Sequence, residues 1–479
     1  MKSNRSPTLE SLLVAFVLTA LTRFGDVLAQ SPPAWQPASA MPQEPVQHLP
    51  CTVKEGFSIA IGGDLLGFYQ PLTKIETPAL ATVSRLFQDA TVGYANREGN
   101  VFDLLSFKGY PAAENGGFVA TQMDVGDGPL ATAAVASDMK RFGITMTSLA
   151  NNHSTDWGLE GLAETEKNLD AAGVVNAGGG TTRAAARAAA YLETDKGRIA
   201  LISTTSTYLP MEVAGPGSGE RRARPGISAL RNFPVTLVTP AEFSVLRAIA
   251  SRQGLPVPAN AREVSLNANE QTFNAQTFRV SDAGHLGLQY EVNTQDWTEI
   301  LRAITDAKKR ADFVVFAIHA HETATGGQED SVAADLLQPA DFLQPLFHAA
   351  INAGADLVVT TGPHVLRGIE IYQGKPIFYG MGSLFFQLGD LGIQLPQTWY
   401  DSVVAVSQYR GGQVSEVRLY PISLNPPAGQ PLPRTLEGTP RLASPRAARH
   451  ILETLQQASA QYGTTIAIRD GIGIIRPIT

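Results

Sequence analysis

The sequence predicts an α/β fold built on two packed sheets. Three observations carry this: short apolar runs alternate with helix-length periodic segments, several such runs end abruptly in polar clusters, and the last third holds hairpin-like pairs separated by glycine turns. At 479 residues, with 44% hydrophobic and 17% charged residues, the chain has the makeup of an ordinary globular protein with a sizeable core. Its length exceeds the usual single core, so one main domain over residues 53–479 with an inserted region is expected.

Taken from the start, Lys2 and Arg5 precede an apolar run from Leu12 to Leu21 and then Val27-Leu28-Ala29. That is the layout of a secretory signal over residues 1–29, with an uncleaved membrane anchor as the alternative because Arg23 and Asp26 interrupt its end. Residues 30–52 are rich in Pro, Gln, Ala and Ser and read as an extended linker. Cys51 is the single cysteine, which excludes both a disulfide within the chain and a thiolate cluster. The net charge of −7 gives no basic footprint for nucleic acid.

Phe57 to Ile61 reads as a buried strand, Leu130 to Phe142 as a helix, Ile144 to Leu149 as a strand, and Gly158 to Ala172 as a helix stopped by Gly173. The same alternation returns with a helix from Trp297 to Arg310, a strand from Phe313 to Ile318, a helix from Phe342 to Ala353 ended by Gly354, and a strand from Leu357 to Thr360. Ile369 to Tyr372, Pro376 to Tyr379, Val403 to Ser407 and Val414 to Leu419 suggest an antiparallel portion, and Ala447 to Tyr462 an amphipathic helix after the Pro-rich stretch Asn425 to Pro433. Between about 206 and 295 the alternation breaks down, as expected of an insertion or lid.

The polar clusters carry the chemistry. Gly63-Asp64, Asn96-Arg97-Glu98, Asn151-Asn152-His153, His319-Ala320-His321-Glu322 and Gly362-Pro363-His364 each follow an apolar run, where open α/β sheets place ligands. Carboxylate, amide and imidazole groups from several strand ends suit one or two borderline divalent ions, with Mn, Zn and Fe compatible. For each cluster there is a plainer alternative. Asp64 could cap a helix, Glu98 could form a surface ion pair, and the doubled Asn could form an Asx turn. His319 and His321, one residue apart on extended chain, point the same way and could share an ion. His153 and Asn151 are the candidates for catalysis, and Arg224 and Glu322 for substrate contact, Glu322 also for orienting a ligand. Arg221, Arg222 and Arg224 could gather carboxylates, although exposed arginines are commonly just solvated.

Taken in order, these segments resemble the CapA family, named for a poly-γ-glutamate capsule synthesis protein and related in fold to calcineurin-like metallophosphoesterases. The resemblance spans Phe57 to Ile475 and is most specific from Ala355 to Ser383; Arg224-Pro225-Gly226 and Tyr462-Gly463-Thr464 look like a longer-chain branch. It implies a four-layer αββα sandwich with mixed sheets and an inserted lid. It also implies that Asp64, Glu98, Asn152, His319 and His364 hold a metal pair, with His153 as proton donor. The chain departs from the pattern at Leu66, where a second histidine is usual, at Thr361 and Gly362, which replace the histidine before the Pro-His pair, and at Ser383, where Asn is expected. His321 could compensate for a missing ligand.

The expected function is that of an exported, cell-envelope protein acting on an anionic polymer or peptide in capsule or poly-γ-glutamate biosynthesis, by metal-assisted hydrolysis or transfer. Other membrane proteins of capsule synthesis are the expected partners. The alternatives are a non-catalytic polymer-binding or export component, permitted by Thr361 and Gly362, and metal-dependent proton chemistry on a peptide.

Overall fold

The computed structural model describes residues 52–67, 72, 76–109, 129–266, 276–282, 284–326, 338–387, 395–425 and 436–477. The expected signal or anchor, Cys51 and nearly all of the linker, and most of the Pro-rich stretch after Asn425 lie outside the described residues. The chain divides between Leu49 and Pro50.

The second unit, Pro50–Thr479, is a mixed α/β structure with two large mixed sheets. In the first, the parallel strands Ser58–Leu66, Val92–Asn96, Met146–Ser148 and Val175–Ala177 lie side by side, and Ser58–Leu66 also pairs in parallel with the short strand Ser383–Phe386. The long hairpin Asp401–Arg410 and Gln413–Ser423 extends this sheet in antiparallel fashion. In the second, Gly197–Thr205, Phe313–His319, Leu357–Thr361 and Lys375–Phe378 run parallel, with Ala190–Thr194 and Ile369–Tyr372 as antiparallel edges. Ser58–Leu66 and Phe313–His319 are buried almost throughout, because parallel strands are covered on both faces and so read as continuous apolar runs rather than alternating ones.

One core cluster joins residues of both sheets, including Ile59, Ile61, Val92 and Met146 with Leu201, Val315, Ala317 and Val359. Within it Phe57 packs on Phe313 and Tyr409 with ring centroids 4.9 and 5.7 Å apart, a geometry worth more than area burial alone. A second cluster packs the helices Pro78–Gln88, Ala134–Phe142 and Gly158–Ala171 against the first sheet. A third packs Thr294–Lys308 and Leu343–Ala353 against the second.

Helix ends follow local chemistry. Pro78–Gln88 starts with Pro after Thr77, whose hydroxyl accepts from Leu80 N–H at 3.1 Å, a capping signal that the apolar pattern alone did not reveal. Leu343–Ala353 stops at Gly354, held at φ 117°, as its sequence suggests. The helix expected from Leu130 begins only at Ala134.

The stretch expected to be irregular, 206–295, contains a regular element. Asn232–Val238, Glu263–Leu266, Gln276–Val280 and Gly287–Val292 form a four-stranded sheet with its own small core against the helix Pro240–Arg252, which a Thr239/Glu242 capping box starts. Across the face of this sheet Arg279 makes ion pairs with Glu263 on the adjacent strand and with Glu291 two strands away. Among the described residues, no helix is long and apolar enough to cross a membrane.

Candidate metal centre

The parallel strands of both large sheets deliver their carboxyl ends to one place. Asp64 is set by a close crossing: Asp64 N–H donates to Gly382 O, and a Cβ on the preceding Gly63 would lie 1.8 Å from that same oxygen. Only glycine allows this backbone approach. Asp64 Oδ1 accepts from Asn96 Nδ2 at 2.7 Å and Oδ2 from Gly362 N–H at 3.0 Å, so one carboxylate ties the two sheets together.

Asn96 ends its strand, and the chain then turns through Arg97 to Glu98. Arg97 is fully buried and donates to four carbonyls, those of Leu65 and Gly67 at 2.6 Å and of Asn100 and Pro129 at 2.8 Å, which fixes the turn. Glu98 is itself fully buried. Its Oε1 lies 3.6 Å from His319 Nε2, 3.9 Å from His153 Nε2 and 4.0 Å from His364 Nε2, yet neither of its oxygens has a hydrogen-bond partner among the described residues. Burial, together with Asp64 and Asp156 nearby, pushes its pKa well above the ordinary carboxylate range.

The loop after Met146–Ser148 is organised by Asn151. Its Oδ1 accepts from His153 N–H at 3.1 Å and Ser154 Oγ at 2.9 Å, and its Nδ2 donates to Arg97 O at 2.9 Å and Asn96 Oδ1 at 3.3 Å. The structure therefore places Asn151 as the support of the loop, with its amide turned into backbone contacts. The next residue, Asn152, directs Oδ1 to within 2.8 Å of His319 Nε2. His153 is partly exposed and its Nδ1 lies 2.8 Å from Asp156 Oδ2. Burial opposes charging of this ring, but Asp156 outweighs it and holds the His153 pKa above the usual value.

From the second sheet, His319 packs against Asn96 and Thr361, its Nδ1 3.2 Å from Asn96 Nδ2 and 3.3 Å from Thr361 Oγ1. Burial pulls its pKa down to about 3, so the ring is neutral and able to act as a ligand at ordinary pH. His321 Nε2 lies 2.7 Å from His319 Nε2, and its N–H donates to Thr207 Oγ1. His364 adopts φ 50°, rare for a side-chain-bearing residue, and its ring sits between Phe386 and Trp399 with Nδ1 3.1 Å from Ser383 Oγ and 3.5 Å from Asp64 Oδ2. Burial raises the Asp64 pKa, and the imidazoles of His364 and His319 more than reverse this, leaving the carboxylate below its ordinary range.

Of the residues singled out in the sequence, Asp64, Glu98, Asn152, His153, His319, His321 and His364 thus come together. Two sets stand within ligand reach of a common point, Asp64 with Glu98 and His364, and Glu98 with His319 and His321, sharing Glu98. Glu322 faces elsewhere: Ser206 and Thr207 hydroxyls donate to its carboxylate at 2.6 and 3.1 Å. Arg224 lies on a hairpin-like arm bridged at Val213/Ile227 and Gly215/Arg224, with Nη1 3.5 Å from Pro210 O, while Arg221 and Arg222 are exposed at its tip. Asn96, Asp156 and Thr361 were not anticipated in their roles. The signal for Asn96 and Thr361 was a polar residue at a strand end, and for Asp156 a carboxylate three residues after His153.

Residues 76–388 match the bacterial capsule synthesis protein family PGA_cap. The chain belongs to this family. It is 35% identical over 462 residues to an uncharacterized protein, y4sH, of Sinorhizobium fredii, covering 88% of this chain and 94% of the relative. Over 86 residues, 18% of this chain and 20% of the relative, it is 40% identical to the PGA biosynthesis protein CapA of Bacillus subtilis. It is also 22% identical over 251 residues to the capsule biosynthesis protein CapA of Bacillus anthracis, covering 52% and 42% of the two chains. The family is associated with capsule polyglutamate synthesis, and the buried Asp, Glu and His groups are of the kind that bind a metal ion.

Proposed function

We propose that this protein is an exported member of its family that acts on an anionic polymer of the poly-γ-glutamate type through two divalent cations held at the joined strand ends. The observation that carries the reading is Glu98: a fully buried carboxylate among three imidazole nitrogens, with no donor to either oxygen among the described residues. A buried acceptor without a partner is costly, and a cation held beside it would supply what is missing. The donor set of carboxylate, amide and imidazole oxygens and nitrogens fits Mn, Zn or Fe.

In this reading Asp64, Glu98 and His364 hold one ion, and Glu98, Asn152 and His319 the other. The two sheets with their outer helices support a four-layer αββα arrangement of the metallophosphoesterase kind. Bound cations would supply positive charge for an acyl or phosphoryl oxygen and for the attacking water. The rest falls to the chain. Asp156 orients the His153 ring through Nδ1, so Nε2 faces the centre and carries the proton for a departing group. Asn151 and Arg97 keep Asn152, His153 and Glu98 at fixed positions. The polyglutamate substrate is favoured by what the Bacillus relatives are named for, and export by the basic, apolar and small-residue order of residues 1–29.

The test is ion stoichiometry followed by turnover. Purified protein equilibrated with Mn²⁺ or Zn²⁺ should retain two ions per chain and should cleave or transfer poly-γ-glutamate in a chelator-sensitive way. Retention of no ion refutes the metal reading. Two ions with turnover of phosphodiesters alone refute the polymer assignment, and two ions with polymer binding but no product leave a carrier.

A further inference from the structure

We infer that His321 is itself a ligand of the second ion position, and that its ring reaches that position because Gly362 carries no side chain. The inference rests on the two-ion reading of the site. His319 and His321 are two apart on extended chain, so their rings leave the same side, and their Nε2 atoms meet 2.7 Å apart. With Glu98 these nitrogens form a set whose ligand atoms all lie within 4.8 Å of one another.

The space is exclusive. A Cβ at Gly362 would stand 2.8 Å from His321 Cδ2, closer than real Cβ contacts come, and 3.1 Å from its Nε2, a tight contact. Gly362 also has φ 115°, a conformation L side chains rarely adopt, while its N–H is committed to Asp64 Oδ2. A ligand therefore cannot enter from position 362, and the ring of His321 takes that volume. The chain at this residue is anchored: the backbone N–H of His321 donates to Thr207 Oγ1 at 2.9 Å, and Thr207 Oγ1 donates to the Glu322 carboxylate at 3.1 Å.

The competing role is purely structural, a ring that only hydrogen-bonds to His319. His321→Ala and His321→Asn separate the two, read by ions retained after equilibration with Mn²⁺ or Zn²⁺ and by calorimetric titration, with thermal unfolding in chelator as the check on folding. A ligand predicts loss of the second ion while the first stays, with an affinity drop beyond the roughly 10–100-fold that losing an outer hydrogen-bond partner costs. Two ions retained in both variants with affinities within about tenfold of wild type would overturn it. If wild-type protein retains only one ion, this inference falls while a metal reading stands; if it retains none, both fall. Should the variants not fold, cadmium–nitrogen coupling at His321 Nε2 in Cd²⁺-loaded, ¹⁵N-labelled wild-type protein decides the matter, and its absence there refutes ligation.

Discussion

Replacing Glu98 by Gln should reverse its effect on stability according to whether cations are present. In chelator wild-type Glu98 is buried with no hydrogen-bond donor to either oxygen among the described residues, close to Asp64 and Asp156, and its raised pKa means that it must either stay charged or take up a proton, each at a cost. An unsatisfied buried polar group costs about 1–3 kcal/mol, more when charged, and the isosteric neutral amide removes the charge. For the unit Pro50–Thr479, an unfolding entropy of about 2.1 cal/mol/K per residue means that 1 kcal/mol moves Tm by about 1 °C. Glu98→Gln should therefore raise the chelated Tm by about 1–3 °C.

With Mn²⁺ or Zn²⁺ at about 100 times Kd, each bound ion adds about 2.7 kcal/mol, or about 5 kcal/mol for two. Glu98 is the shared member of both ligand sets, so the variant should gain little of this. Wild type should then exceed the variant by about 2–4 kcal/mol, and the two melting curves should exchange order between buffers. Differential scanning calorimetry with and without EDTA measures this directly. A variant less stable than wild type in chelator, or one stabilised by the metal as much as wild type, would refute the claim that Glu98 is an unpaired bridge.

Three more outcomes rest on single contacts. Asp156→Asn should lower the His153 pKa, because Asp156 is what raises it against burial; histidine ring NMR titration in chelator checks this, and an unchanged value refutes the pairing. Asp296 is buried and accepts from Arg231, at 2.6 and 2.9 Å, and from Arg187, which also pairs with Glu299, so Asp296→Asn should cost about 1–3 kcal/mol in urea unfolding by removing one of the two carboxylates around the buried Arg187 guanidinium. Burial raises the Asp296 pKa, but Arg231 and Arg187 reverse this and hold it below the ordinary value; its contribution is complete above the unfolded carboxylate pKa of about 4 and lost as pH falls through the lowered value. Asp296→Asn should remove that acid-side slope. Gly63→Ala should cost at least about 1–3 kcal/mol and lower metal retention, since a methyl there must push Gly382 away and Asp64 with it; unchanged Tm and retention would show that the crossing is loose.

The candidate ligands were legible because a buried parallel strand has no reason to end in His-Ala-His-Glu or Asn-Asn-His unless those groups are used or satisfied. The elements with continuous apolar runs, such as Phe313–His319 and Leu357–Thr361, were legible for the same reason. Gly197–Thr205 was not picked out, although it is an interior strand of its sheet, since its run ends in Ser203, Thr204 and Thr205 and comes after the shorter edge strand Ala190–Thr194. The small sheet from Asn232 to Val292 escaped because its strands are short, four to seven residues, and half-exposed, without the continuous apolar run of the buried parallel strands. Asn151 and Asn152 show the limit most sharply. Neighbours with one side chain type take opposite jobs, one turned back to the backbone of Arg97 and one forward to His319, and only the loop geometry separates them.

The division of ligands between sheets has a consequence for folding. Asp64, Glu98 and Asn152 come from the first sheet, and His319, His321 and His364 from the second, so each of the ligand sets spans the apolar cluster that joins them. An ion bound there acts as a cross-link between layers, and its binding energy becomes energy for keeping the sheets together. Cations should therefore slow hydrogen exchange at the strand amides of both Ser58–Leu66 and Phe313–His319, with the extra protection matching the rise in global stability. If protection instead grows only in the loop holding Asn152 and His153, the ion is being held by one sheet and the shared role of Glu98 is wrong.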